Sequence, residues 1–138
     1  MNLIDLMSER HIQLRKLLGK RWNESNGIYL SNSEWFILTR IYQEGQTTIS
    51  FVTKQVDISR QATHKFIKRL TEKGLVVVDK MENNKKEKSI TLTEMGKECY
   101  EKNEALKVEL ETEIKSEIGA ENVERLKEIM KLDWGKRI

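Results

Sequence analysis

The sequence predicts a mainly helical protein of the α+β class with one small β-hairpin set among its helices. Three observations predict it. Apolar stripes at helical spacing run through most of the chain. Proline is absent, so none of those stripes is broken from within. The stretch from Leu75 to Leu92 instead carries a β-branched run and a period-two alternation around a polar middle.

The first helix spans about residues 3–23, with Leu3, Met7, Leu14, Leu18 and Trp22 on one stripe. Polar residues and Gly27 end it. Ser31-Asn32-Ser33-Glu34 has the capping-box pattern, in which Ser31 caps the second helix and Glu34 reaches back. That helix carries Trp35, Leu38, Ile41 and Tyr42 and stops at Gly45. Thr48 caps a short third helix over 49–56, buried through Val52 and Val56. Asp57-Ile58 makes a tight turn, Ser59 caps a fourth helix to about Lys73, and Gly74 ends it. Leu75-Val76-Val77-Val78 and Ser89-Ile90-Thr91-Leu92 form a hairpin whose polar tip runs from Glu82 to Glu87. Thr93 caps a long fifth helix to about Ile118, carrying Tyr100, Leu106, Leu110 and Ile114. Gly119-Ala120 breaks it, and a last helix carries Val123, Leu126, Ile129, Met130 and, at its end, Trp134.

The totals narrow the function classes. A chain of 138 residues is one domain's length and can build a core without staples. With 34% charged and 38% apolar residues and no apolar run of about 20, it reads as a soluble chain with no membrane partner. Its first residues lack a secretory leader's pattern, and the one cysteine, Cys99, suits a reducing cytoplasm. Two histidines and one cysteine do not by themselves supply a four-ligand zinc site, and no cofactor is expected. Phosphate-cradling glycine loops and nucleophile elbows are absent from the sequence, so an enzyme is not expected.

The net charge of +3 is unevenly spread. Residues 54–97 hold eleven Lys/Arg against six Asp/Glu, while residues 98–138 hold eight against eleven. A locally basic middle is the footprint of a polyanionic partner, although a solvated surface would look similar by charge alone. The fourth helix sharpens the reading. At 100° per residue, Ala62, Thr63, Phe66 and Leu70 share one side with Ile67 at its edge, and Arg60, Gln61, His64, Lys65 and Lys68 share the other. Arginine forks onto guanine and glutamine pairs with adenine in the major groove. Ser59 at the helix start can meet a phosphate with the exposed backbone amides. A short helix precedes it across a tight turn and a basic hairpin follows, with Lys85, Lys86 and Lys88 near its tip. That order is a winged helix-turn-helix, which lays its second helix in the major groove of double-stranded DNA. Arg60, Gln61, His64 and Lys65 are the expected readers, and Ser59, Lys68, Lys85, Lys86 and Lys88 the expected phosphate contacts.

The runs Leu30-Ser31-Asn32-Ser33-Glu34-Trp35-Phe36-Ile37-Leu38, Ile58-Ser59-Arg60-Gln61-Ala62-Thr63, Arg69-Leu70-Thr71-Glu72-Lys73-Gly74-Leu75-Val76 and Leu92-Thr93-Glu94-Met95-Gly96 resemble the MarR family of regulators, most specifically from Ile58 to Val76. The resemblance implies a homodimeric transcription regulator, a repressor, on a pseudo-palindromic operator, released by a small effector or by cysteine oxidation. One domain over 1–138 is then expected, with the winged core at about 30–97 and dimerisation helices at about 3–23 and 98–138. The chain departs from the family pattern where the wing's usual Asp-X-Arg is Asn84-Lys85-Lys86, where Phe51 and Thr53 replace a polar residue and an alanine, and where Asp57 replaces a turn glycine. Lysine lacks arginine's planar fork, so the wing is expected to hold phosphates rather than read bases.

A flat aromatic effector has candidate partners in His11, Trp22, Tyr29, Trp35 and Tyr42, although aromatic residues at helical spacing more often form core. Cys99, flanked by Glu98 and Glu101, reads as structural rather than redox-active. The rival from another class is a winged-helix module that binds protein, for which the basic outer face of the fourth helix lacks apolar anchors.

Overall fold

The helices assemble around α2 (Asn32–Glu44), whose Ile37, Leu38 and Ile41 are wholly buried. The computed structural model describes residues 1–81 and 84–136, with the backbone alone at 81 and 84–86. In chain order the elements are α1 (Leu3–Ser25), α2 (Asn32–Glu44), β1 (Gln46–Thr48), α3 (Ile49–Val56), α4 (Arg60–Glu72), β2 (Val76–Met81), β3 (Asn84–Leu92), α5 (Glu94–Ile118) and α6 (Ala120–Lys131). The expected class, mainly α with a small β wing, is the observed one.

Local chemistry sets most boundaries. The Asn2 side chain accepts from the Asp5 amide and starts α1, which runs two residues past the expected end. The capping box of α2 is complete: the Ser31 hydroxyl accepts the Glu34 amide at 3.2 Å, and the Glu34 carboxylate accepts the Ser31 amide at 3.0 Å. Thr48, Ser59 and Thr93 cap α3, α4 and α5 through their side-chain oxygens. Helix α6 ends before Trp134, whose indole N–H donates to the Ile129 carbonyl at 2.9 Å.

The sheet is larger than expected. Strand β3 lies in the middle, with β2 on one side and β1 on the other, all antiparallel. Gln46–Thr48 has no alternation of its own to signal a strand; it becomes one by pairing with Thr91 to Ser89. The hairpin tip is also shorter than expected, because β3 already begins at Asn84. Lys85 and Lys86 therefore sit on a strand and not in a polar loop, opposite a register shift between Lys80 and Met81.

The wing is clamped to α5 at its base. The Thr93 amide donates to the Leu75 carbonyl at 3.0 Å, and its hydroxyl donates to the Gly74 carbonyl at 2.7 Å. Gly96 lets this contact close, since a Cβ there would lie 2.1 Å from the Leu75 oxygen. Away from the winged core, α1 packs on α5 with Arg21 paired to Glu113, and α5 packs on α6 through Lys127–Glu111 at 3.1 Å and Lys115–Glu124 at 3.2 Å. The apolar side chains of Leu3, Ile4, Leu6, Leu126, Ile129, Met130 and Leu132 remain exposed on these terminal segments.

Candidate nucleic-acid interface

Helix α4 is oriented by its turn and its cap. Asp57 occupies the left-handed region at φ 55° and ψ 48°, which reverses the chain between α3 and α4. A short polar side chain tolerates that conformation, as the missing turn glycine would. Ser59 Oγ then accepts the Ala62 amide at 3.0 Å, and its hydroxyl proton is left to point elsewhere.

The buried line of α4 is Thr63, Ile67 and Leu70. This corrects the expected rotation of the helix. Ile67 is central and 3% exposed, whereas Phe66 and Ala62 are half-buried, with the Arg69 guanidinium 5.7 Å from the Phe66 ring. Thr63 can sit in the core because its hydroxyl donates to the Ser59 carbonyl at 3.0 Å. The opposite face carries Arg60, Gln61, His64, Lys65 and Lys68, all exposed. The face separation read from the sequence therefore holds for the polar side and shifts by one position on the apolar side.

The wing stands beside that polar face. A crevice of about 340 Å³ separates α4 from the sheet. Ile49, Ile67 and Val78 line it, and His64, Lys68 and Lys88 stand at it together. Lys88 lies directly opposite Lys80 on the antiparallel pair. Like charges in that register repel and raise the local positive potential. Lys80 escaped the sequence reading because only the strand register brings it to Lys88. The side chains of Lys85 and Lys86 lie outside the described residues.

Two further contacts tie the elements together. Arg60 Nη1 donates to Ser50 Oγ at 3.3 Å, and Ser50 Oγ donates to the Glu87 carboxylate at 2.8 Å. Phe51 on α3 is exposed, and Thr53 turns its hydroxyl back to the Ile49 carbonyl.

The five aromatic and histidine candidates for an effector are not brought together. Trp22 and Trp35 pack edge to face in the core at 4.9 Å, with the Trp22 indole donating to the Ile28 carbonyl. Tyr42 stacks on Tyr100 at 3.9 Å. Tyr29 is exposed, with Lys73 Nζ 5.7 Å from its ring. His11 stands on α1 at an apolar cleft of about 370 Å³ lined by Leu14, Leu18, Leu110 and Ile114. Among the described residues no three His, Cys, Asp or Glu side chains could hold a metal ion, and no helix is long and apolar enough to cross a membrane.

Residues 30–88 match the model of the MarR family. Over 78 residues the chain is 32% identical to an HTH-type transcriptional regulator of Staphylococcus aureus (strain Mu50), covering 56% of this chain. The match spans 52% of that relative, so the chain accounts for about half its length. Over 100 residues it is 28% identical to the HTH-type transcriptional regulator YwhA of Bacillus subtilis (strain 168), covering 72% of this chain and 70% of that one. A crystal structure of a mutant MarR from Escherichia coli complexed with operator DNA superposes with a TM-score of 0.77 at 21% identity, over 94% of this chain and 91% of that one. That likeness shows the fold: the arrangement of helices and wing is that of a MarR winged helix.

Proposed function

We propose that this chain, whose residues 30–88 match the MarR family model, is a transcription regulator that binds double-stranded DNA as a homodimer and acts as a repressor. The observation that carries the reading is the division of α4. Thr63, Ile67 and Leu70 hold it in the core, while Arg60, Gln61, His64, Lys65 and Lys68 face outward beside a basic wing. Arg60, Gln61, His64 and Lys65 read base edges, and Ser59, Lys68, Lys85, Lys86 and Lys88 hold phosphates. The operator complex of the E. coli relative supports this reading by likeness of fold.

The second copy docks on the terminal segments, about residues 3–23 and 98–138, whose exposed apolar side chains would otherwise remain in water. Two such copies present paired recognition helices to a pseudo-palindromic site. A small aromatic effector releases the DNA by binding the DNA-incompetent arrangement more tightly. The protein works in the cytoplasm, where its operator lies.

Selection of bound fragments from genomic DNA by the purified full chain tests the central reading. A shared inverted repeat is the expected result. Recovery of unrelated fragments, with binding lost uniformly as salt rises, would leave a basic winged domain without an operator, and the function would then lie with a protein partner.

A further inference from the structure

Arg60, Ser50 and Glu87 form a directed chain across three elements. Arg60 opens α4, Ser50 sits in the first turn of α3, and Glu87 belongs to β3. The Arg60 guanidinium donates to Ser50 Oγ at 3.3 Å, and the same oxygen donates its proton to Glu87 Oε1 at 2.8 Å. A serine hydroxyl has one proton and two lone pairs, so it can serve both partners at once and relay between them. The carboxylate end makes the relay charge-assisted, which strengthens and orients it.

We infer that Ser50 and Glu87 are positioning residues that fix the Arg60 guanidinium for base reading, so that the wing takes part in specificity without touching a base. The inference rests on the DNA-binding reading above. Three features of the chain carry it. Arg60 lies in the first turn of α4, where a side chain reaches the groove floor, and an exposed arginine otherwise samples many rotamers. Ser50 and Glu87 lie 37 residues apart, so their contact exists only when the wing is docked against α3. Glu87 lies where the register between β2 and β3 shifts, and such an irregularity re-aims a side chain.

Randomised duplexes are selected by the full-length protein and by Arg60→Ala, Ser50→Ala, Ser50→Thr and Glu87→Gln, at one salt concentration and with melting curves for each. Arg60→Ala should flatten preference at one base position in each half-site. Ser50→Ala, which changes no charge and suits a helix, should weaken preference at that same position by about 2- to 10-fold, the worth of one such hydrogen bond. Glu87→Gln keeps an acceptor for the Ser50 hydroxyl but loses the charge assistance, so it should weaken the preference less than Ser50→Ala while raising binding to all sequences. Ser50→Thr keeps the hydroxyl and should retain the preference. If Arg60→Ala flattens a position that Ser50→Ala and Glu87→Gln leave untouched, the inference fails and the DNA reading stands. If Arg60→Ala alters no position, Arg60 does not read and the inference fails likewise. If the unaltered protein enriches no sequence, the DNA reading itself falls and takes the inference with it.

Discussion

Glu34 and Lys73 meet at 2.6 Å, one at the first turn of α2 and the other at the end of α4, with the Glu34 side chain only 2% exposed. The same lysine donates to the Tyr29 carbonyl at 2.7 Å, and the same carboxylate closes the α2 capping box. The pair therefore locks the start of the core helix to the end of the candidate recognition helix. Removing the cation strands a buried carboxylate. Lys73→Ala should cost about 3 kcal/mol of stability. Glu34→Gln should cost less, since it keeps a capping acceptor and removes the charge. Urea unfolding of both variants and of the double variant checks this, and additive losses would mean the two groups are not coupled.

The faces of α4 are tested as a pair. Ile67→Ala empties a site that is 3% exposed and should cost about 2–5 kcal/mol of stability. Arg60→Ala should leave the melting temperature near that of the unaltered protein and cost about 1–3 kcal/mol on the specific site. Unfolding by Arg60→Ala would show that this face belongs to the core after all.

Lys68 and Lys88 stand on either side of the crevice between α4 and the wing. If both only neutralise phosphates, replacing both by alanine should weaken all sequences about equally. The log–log salt slope should fall by about two units. A changed base preference at constant slope would assign them to reading instead.

The terminal helices should dimerise. Sedimentation of the full chain at micromolar concentration should give twice its 16.3 kDa mass. Leu126 and Ile129 remain about half exposed on α6 although Val123 is buried. Replacing both by aspartate should give a folded monomer with weakened binding to a two-half-site operator. A clean monomer in the unaltered protein that still binds a palindrome would overturn the arrangement.

Cys99 should be inert in the folded state. Burial, more than its neighbours, pushes its thiol above the ordinary range; Lys102 opposes the shift and Glu98 adds to it. Only the thiolate is a good nucleophile. Alkylation by iodoacetamide at pH 8 should be slow in buffer and fast in urea. The folded protein therefore holds this proton more tightly than the unfolded chain. The associated stability is complete below the ordinary thiol range and declines as pH rises through it toward the folded value. Equal alkylation rates folded and unfolded would contradict the buried setting.

Much of this protein is written in short-range chemistry. Caps at Ser31, Thr48, Ser59 and Thr93, the left-handed Asp57 and the exposed polar face of α4 each depend on residues within one or two turns of one another, so spacing alone reveals them. Contacts between distant segments leave no such mark. β1 is a strand only because Thr91 to Ser89 lie beside it, and the rotation that places Ile67 inward depends on what the other helices press against α4. Glu34 and Lys73 lie 39 residues apart, and Ser50 and Glu87 lie 37 apart. The separation of the Trp22–Trp35 pair from Tyr29 and from Tyr42 likewise followed from packing. A helical stripe says which residues share a face but not which neighbour that face meets. Closing the long loops between those neighbours is what the assembled core makes possible.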